Sequence, residues 1–308
     1  MDSTSSWDDE RAQLLGHRIS ELGLAIGGSR VERLVSRLND ELAARGVAFH
    51  PPVYLSDEWG CPDGTPLIGV PFYLADERLE RIEAEHAGAI ESDDEAMRYL
   101  RHEAGHAINY AFHLYERPEF ATLFGDYGRP YAEHYPADPM SRDHVRHILG
   151  WYAQKHPDED FAETFAVWLT PGLDWRTEYA GWGALRKLEW MDAVMREIGQ
   201  LAPLPPELTD DDLPVDAMTW TVADHYAHEE RLPIGDARQF DGDLRRRAPQ
   251  RRRASRRRAI SPATRGSSCR ASPIGREWRP PPFDRCCARS RSVRRRSSCA
   301  APASRPRR

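Results

Sequence analysis

The residues best placed to do chemistry are His102, Glu103 and His106, in the run His102-Glu103-Ala104-Gly105-His106. On a helix, positions four apart lie one above the other, differing by roughly 40° in azimuth and about 6 Å along the axis. Two imidazoles at that spacing can aim at one metal ion. Glu103 points to a neighbouring azimuth, where it can reach a water on the metal rather than the metal itself. Zinc lowers the pKa of such a water towards ~7, so a carboxylate can take its proton at neutral pH. The chemistry on offer is metal-assisted hydrolysis.

The run must be helical to work, and its surroundings predict a helix. Ser92-Asp93-Asp94-Glu95 has the form of a capping box. From Glu95 to Tyr115 there is no proline and one glycine, and Leu100, Ala104, Ala107, Ile108 and Ala111 recur at helical spacing. A second helix is predicted to start at Pro157, a residue suited to the first helical position, and to end at Pro171-Gly172, with Phe161, Phe165, Trp168 and Leu169 as its buried face. It carries Glu159 and Glu163, again four apart. Two histidines and one carboxylate form a catalytic zinc set that leaves a position open for water. Asp158, Glu159 and Asp160 would also complement the helix dipole, with no other role. Glu163 lies one turn deeper, among apolar residues, where an unpaired carboxylate is costly.

His102-Glu103-x-x-His106 followed by Tyr152-x6-Glu159-x3-Glu163-x-Phe165 resembles the gluzincin pattern of the anthrax lethal factor protease domain and the Pro-Pro endopeptidases. More broadly, residues 151–166 resemble a bacterial family of zinc-binding metallopeptidases, and the likeness extends over approximately residues 20–195. Some members of that family begin with a Cys-rich zinc ribbon, which this chain lacks. The resemblance implies a zinc-dependent endopeptidase holding one zinc ion per chain through His102, His106 and Glu159. It makes Glu103 the general base, Tyr152 a donor to the developing oxyanion, and Glu163 an outer carboxylate that orients a histidine ligand. Glu163 remains the alternative third ligand; the spacing from Tyr152 favours Glu159. A metzincin would continue with a glycine and a third histidine where this chain has Asn109 and Phe112. His113, His134, His144, His147 and His156 are left as substrate contacts or ordinary polar residues.

Charge divides the chain into two materials. The net charge is −6, yet residues 245–308 hold 22 Arg, no Lys and two acids, a surplus of 20 positive charges that leaves the body at about −26. Four of the five cysteines lie in this tail, so the body, with Cys61 alone, has neither a disulfide framework nor a Cys-rich metal site. The acidic, polar start and the lack of an 18-residue apolar run predict no signal peptide, no membrane span and a cytoplasmic location.

The expected fold is α+β and zincin-like: a small mixed sheet with an edge strand beside the histidine helix, then a mostly helical subdomain. Helices are predicted at 8–22, after a Ser29-Arg30-Val31-Glu32 capping box, and at 185–198. Strands are predicted at 47–55 and 67–74, the second marked as an edge by Pro71. Such an edge could bind an extended peptide by strand addition, or bind nothing. Residues 117–139 read as an irregular stretch containing Tyr127, Tyr131, His134 and Tyr135, either a substrate rim or a loop packed by its own aromatics. His225-x-x-His228 is too sparse for a second metal site. The division is a metallopeptidase domain at 8–200, an acidic Pro-rich extension at 201–243 and an Arg-rich disordered tail at 244–308. The tail suggests nucleic-acid or anionic-surface binding, docking on the acidic body, or a shifted reading frame. Binding through the tail, with a structural zinc site, is the alternative to a peptidase acting on peptide or protein substrates; the oligomeric state is open.

Overall fold

The computed structural model describes residues 6–132, 134–205 and 213–229. In chain order the elements are α1 (Trp7–Gly16), α2 (Arg30–Ala44), strands β1 (Val53–Ser56) and β2 (Ile68–Pro71), α3 (Glu77–Ala87), α4 (Asp93–Ala111), α5 (Pro118–Leu123), α6 (Pro157–Leu169), α7 (Trp175–Glu178), α8 (Ala184–Ile198) and α9 (Val222–Glu229). Short 3₁₀ turns link several of them.

The organising pair is α4 and α6. The capping box at the start of α4 is formed: Ser92 Oγ accepts from the Glu95 N–H, and the Glu95 carboxylate accepts from the Ser92 N–H at 2.9 Å. Nearly all of α4 from Ala96 to Ala111 is buried, as is every residue of α6. Helices buried on all sides are core helices. They pack on each other, with α2 and β2 covering α4 and α8 covering α6.

Polar pins fix these contacts. Arg101 of α4 makes two bonds, 2.6 and 2.7 Å long, to the carboxylate of Glu41 on α2, and both residues are buried. Removing one partner strands the other charge. Arg101→Met is therefore expected to destabilise the fold by about 3 kcal/mol, while Glu41→Met with Arg101→Met recovers most of the loss. Urea unfolding measures this; an unchanged midpoint in the single variant would contradict it. On the other side, Lys187 of α8 bonds Asp160 of α6, whose carboxyl burial pushes up to about 7 despite the lysine.

The chain is helix-dominated α+β, and several expected elements are corrected. The sheet is not mixed: among the described residues it is one parallel pair, β1 with β2, in the register Val53↔Ile68 to Ser56↔Pro71. The strand expected from Val47 starts only at Val53, because the Val47 and Ala48 N–H groups donate to Leu42 and Gly199 carbonyls and Pro51-Pro52 has no N–H to offer. At Pro71 the second strand gives way to a 3₁₀ turn, Phe72–Ala75. Nor does β2 present an open edge at its centre, since Gly69 and Gly60 exchange N–H···O=C bonds. The helix expected over 8–22 ends at Gly16, where the chain straightens so that Arg18 bridges Thr221. At Ser29 the box is incomplete: Ser29 Oγ caps the Val31 N–H, but Glu32 accepts from Gly28. The stretch expected to be irregular contains α5, started by Pro118.

Part of the stretch beyond residue 200 returns to the core. Met218 and Val222 are fully buried, and Ile19 and Val222 N–H groups donate to the Trp220 and His17 carbonyls. The Arg-rich tail at 244–308 lies outside the described residues, as does the side chain of His228. Among the described residues no helix is long and apolar enough to cross a membrane.

Candidate metal centre

His102 and His106 project from α4, and Glu159 comes from the first turn of α6. His102 Nε2 lies 3.1 Å from His106 Nε2 and 3.1 Å from Glu159 Oε2, and His106 Nε2 lies 3.2 Å from that oxygen. All three residues are buried. Around one zinc ion with bonds of about 2.0–2.1 Å, tetrahedral donors lie roughly 3.3 Å apart. The three atoms therefore fit a shared ion, and two imidazole nitrogens with one carboxylate oxygen are the donor types zinc takes.

A carboxylate stands on the far side of each imidazole. His102 Nδ1 is 2.9 Å from Glu163 Oε1, and His106 Nδ1 is 3.2 Å from Asp158 Oδ2. A proton held on His102 Nδ1 by Glu163 would leave that Nε2 lone pair facing the cluster; Asp158 stands behind His106 as a nearby charge, without hydrogen-bond geometry to its Nδ1. Both carboxylates are themselves held. Glu163 Oε2 accepts from the His147 and Ile148 N–H groups; Asp158 accepts from Asn109 and from the Tyr110 hydroxyl. Glu163 thus lies behind His102, while Glu159 belongs to the three-donor cluster.

The electrostatics favour a cation. Burial lowers the His102 pKa, but its bonds to Glu159 and Glu163 more than reverse this and raise it to about 9. For His106 the same opposition, with Asp158 and Glu159 against burial, ends well above the ordinary value. Burial pushes Glu159 up, yet the two histidines hold it well below its usual range. Glu103 behaves differently: burial dominates and raises its pKa, and neither of its oxygens has a hydrogen-bond partner among the described residues. A fully buried, unpartnered carboxyl beside the cluster is costly unless something else is to bind there.

Tyr152 sits in a 3₁₀ turn entered through Trp151, whose backbone is left-handed at φ 55°. That conformation is strained for a bulky residue, and it sets the Tyr152 ring 5.6 Å from that of His102. Tyr131, from the stretch after α5, donates to Glu159 Oε1 at 2.6 Å and lies 3.2 Å from the Tyr152 hydroxyl.

The approach of the two helices depends on Gly105. A Cβ there would lie 2.7 Å from Ala162 Cα and 3.0 Å from its carbonyl oxygen. Only a glycine lets α4 come this close to the helix that carries Glu159.

Residues 88–180 match a family model described as "Putative zinc-binding metallo-peptidase". The matched segment runs from just before α4 to just after α7, so it contains the cluster and its carboxylate supports. No curated protein and no solved structure matches the chain.

Sequence reasoning missed Asp158, Tyr131 and the role of Gly105. Asp158 read as a helix-dipole acid, and nothing local distinguishes it from one. Tyr131 was one aromatic among several. Gly105 did carry a signal: a glycine inside a helix costs about 1 kcal/mol, so a buried one implies close packing. His147 and His156 both contact groups of the chain itself: His147 contacts the Arg98 carbonyl, and His156 accepts from the Asp158 N–H while its other nitrogen contacts the Arg129 carbonyl.

Proposed function

We propose that this chain is a zinc-dependent metallopeptidase, zincin-like and of gluzincin type, that cleaves internal peptide bonds. The observation that carries the reading is the meeting of His102 Nε2, His106 Nε2 and Glu159 Oε2, from two different helices, within 3.2 Å of one another. Zinc, when bound, supplies Lewis acidity and a water acidic enough to lose its proton near neutral pH.

The remaining work falls to side chains. Glu103 takes the proton from the attacking water and delivers it to the leaving amine nitrogen; its burial-raised pKa suits a group that must both accept and release. The Tyr152 hydroxyl donates to the oxyanion as it develops, an interaction made chiefly in the transition state. Glu163 holds the His102 imidazole in the tautomer the ion needs.

The test is cleavage of a mixed peptide library by the zinc-loaded full-length protein, read by mass spectrometry of the new termini. Cleavage that a chelator abolishes and zinc restores is expected. A protein holding one zinc per chain that cuts no peptide would contradict the reading.

A further inference from the structure

The chain contains two lysines, Lys155 and Lys187; every other basic residue among the Lys and Arg is arginine. Both lysines are buried, at 3% and 6% exposure. Lys187 has an obvious use, since it bonds the Asp160 carboxylate and the Asp143 carbonyl. Lys155 has no carboxylate partner among the described residues. Its Nζ donates to the Tyr152 hydroxyl oxygen at 3.3 Å and lies 4.8 Å from the ring centres of both Tyr131 and Tyr152. Two ring faces and one phenol oxygen compensate poorly for removing a cation from water.

Its neighbours give that cation a use. An ammonium only donates, and an ionised carboxylate only accepts. Tyr131 spends its one proton on Glu159 Oε1, and Tyr152 Oη accepts from Lys155. The contact between the two phenols, at 3.2 Å, is then made by the Tyr152 proton on Tyr131 Oη. The row Lys155 Nζ, Tyr152 Oη, Tyr131 Oη, Glu159 Oε1 has one permitted direction.

We propose that Lys155 and Tyr131 are positioning residues, Lys155 for the Tyr152 proton and Tyr131 for the Glu159 carboxylate. Lys155 polarises the Tyr152 hydroxyl and leaves it a donor. When a substrate carbonyl arrives, that hydrogen bond transfers from Tyr131 to the carbonyl oxygen, and the Lys155 charge one bond behind favours the developing negative charge. Tyr131 ties down Oε1, so that Glu159 offers Oε2 alone to the cluster. The inference rests on the metallopeptidase reading for Lys155 and on the metal site alone for Tyr131.

The experiment compares zinc-loaded wild type with Lys155→Met, Lys155→Arg, Tyr131→Phe, Tyr152→Phe and Lys155→Met combined with Tyr152→Phe. It reads kcat and KM on one cleaved peptide, and zinc affinity by competition with a chromophoric chelator. Lys155→Met is expected to lower kcat about 10–100-fold with KM within about twofold and zinc affinity unchanged. Lys155→Arg keeps a cationic donor, recovers part of the loss, and covers the case in which the methionine variant does not fold. In the Tyr152→Phe background Lys155→Met costs little more, because it acts through that hydroxyl. Tyr131→Phe weakens zinc binding about 10–100-fold. Wild-type kcat in Lys155→Met, or losses that simply add to those of Tyr152→Phe, overturns the Lys155 role; unchanged zinc affinity in Tyr131→Phe overturns the other. A wild type that binds zinc but cleaves nothing sinks the peptidase reading and the Lys155 role together, and the Tyr131 role is still decided by the chelator titration.

Discussion

Glu103→Gln is expected to lower peptide hydrolysis by about 10²–10⁴-fold, the usual worth of a positioned general base. The glutamine side chain keeps the size and shape of the carboxylate but cannot take a proton. Because the Glu103 oxygens lie outside the three-donor cluster and bond nothing among the described residues, zinc content should stay at the wild-type level. The fold should not suffer either: replacing a fully buried carboxyl that burial already disfavours in its charged form by a neutral amide removes a desolvation cost. The measurement is kcat/KM on any cleaved peptide beside zinc content and melting temperature. Lost zinc would make Glu103 part of the metal site, and unchanged turnover would remove its proposed role.

The second large effect is expected at Gly105, on stability and metal affinity together. The atoms a Cβ would strike belong to the α6 backbone at Ala162, with Phe165 Cβ 3.2 Å away. Backbone cannot turn aside as a flexible side chain can, so the helices must separate between the histidines and Glu159. Overpacking of this kind costs about 1–3 kcal/mol, partly offset by the roughly 1 kcal/mol that alanine gains over glycine in a helix. Gly105→Ala should therefore be destabilising overall and weaken zinc binding at least about tenfold, as displaced support of a ligand does. Gly105→Val, with a weaker helix propensity and two more methyl groups, should be worse on both counts. Gly16→Ala, at the end of α1 with nothing within 4 Å of its Cβ, is the control and should be neutral or slightly stabilising. A Gly105→Ala protein as stable and as zinc-avid as wild type would show that the helices do not need their present separation.

Of these two positions, Glu103 stands out in the sequence by its place between the two histidines, whereas the close approach at Gly105 does not show until the helices are seen together. The histidine helix was readable because its signals are local: a capping box, a helical apolar rhythm, and a spacing of four that stacks the two imidazoles whatever surrounds them. The placing of Glu159 and Glu163 one turn apart on α6 was readable for the same reason, helped by Pro157 at the start and Pro171-Gly172 at the end. What failed depends on tertiary contacts. Asp158 faces His106 only because α6 runs beside Asn109 and Tyr110, both of which bond it. Tyr131 arrives from a stretch without regular periodicity, and its phenol is set by where that stretch crosses α6. Residues 47–52 have a strand-like composition, but their backbone bonds are taken by the end of α2 and by Gly199. The helix α9, eight residues long, is held by Val222 and Tyr226, buried in the core near α1, a partner almost the whole body away in sequence.

The central claim is that His102, His106 and Glu159 hold a zinc ion while Glu163 supports His102 from behind. Zinc per chain, measured on purified wild type, Glu159→Ala and Glu163→Ala after metal is supplied, tests it most directly. The account predicts near one zinc in the wild type, none in Glu159→Ala, and retained but weakened binding in Glu163→Ala, since loss of an outer carboxylate costs about 10–100-fold in affinity rather than the site itself. The reverse order of the two variants would move the third ligand to Glu163, and a wild type without zinc would reduce the histidine pair to a coincidence.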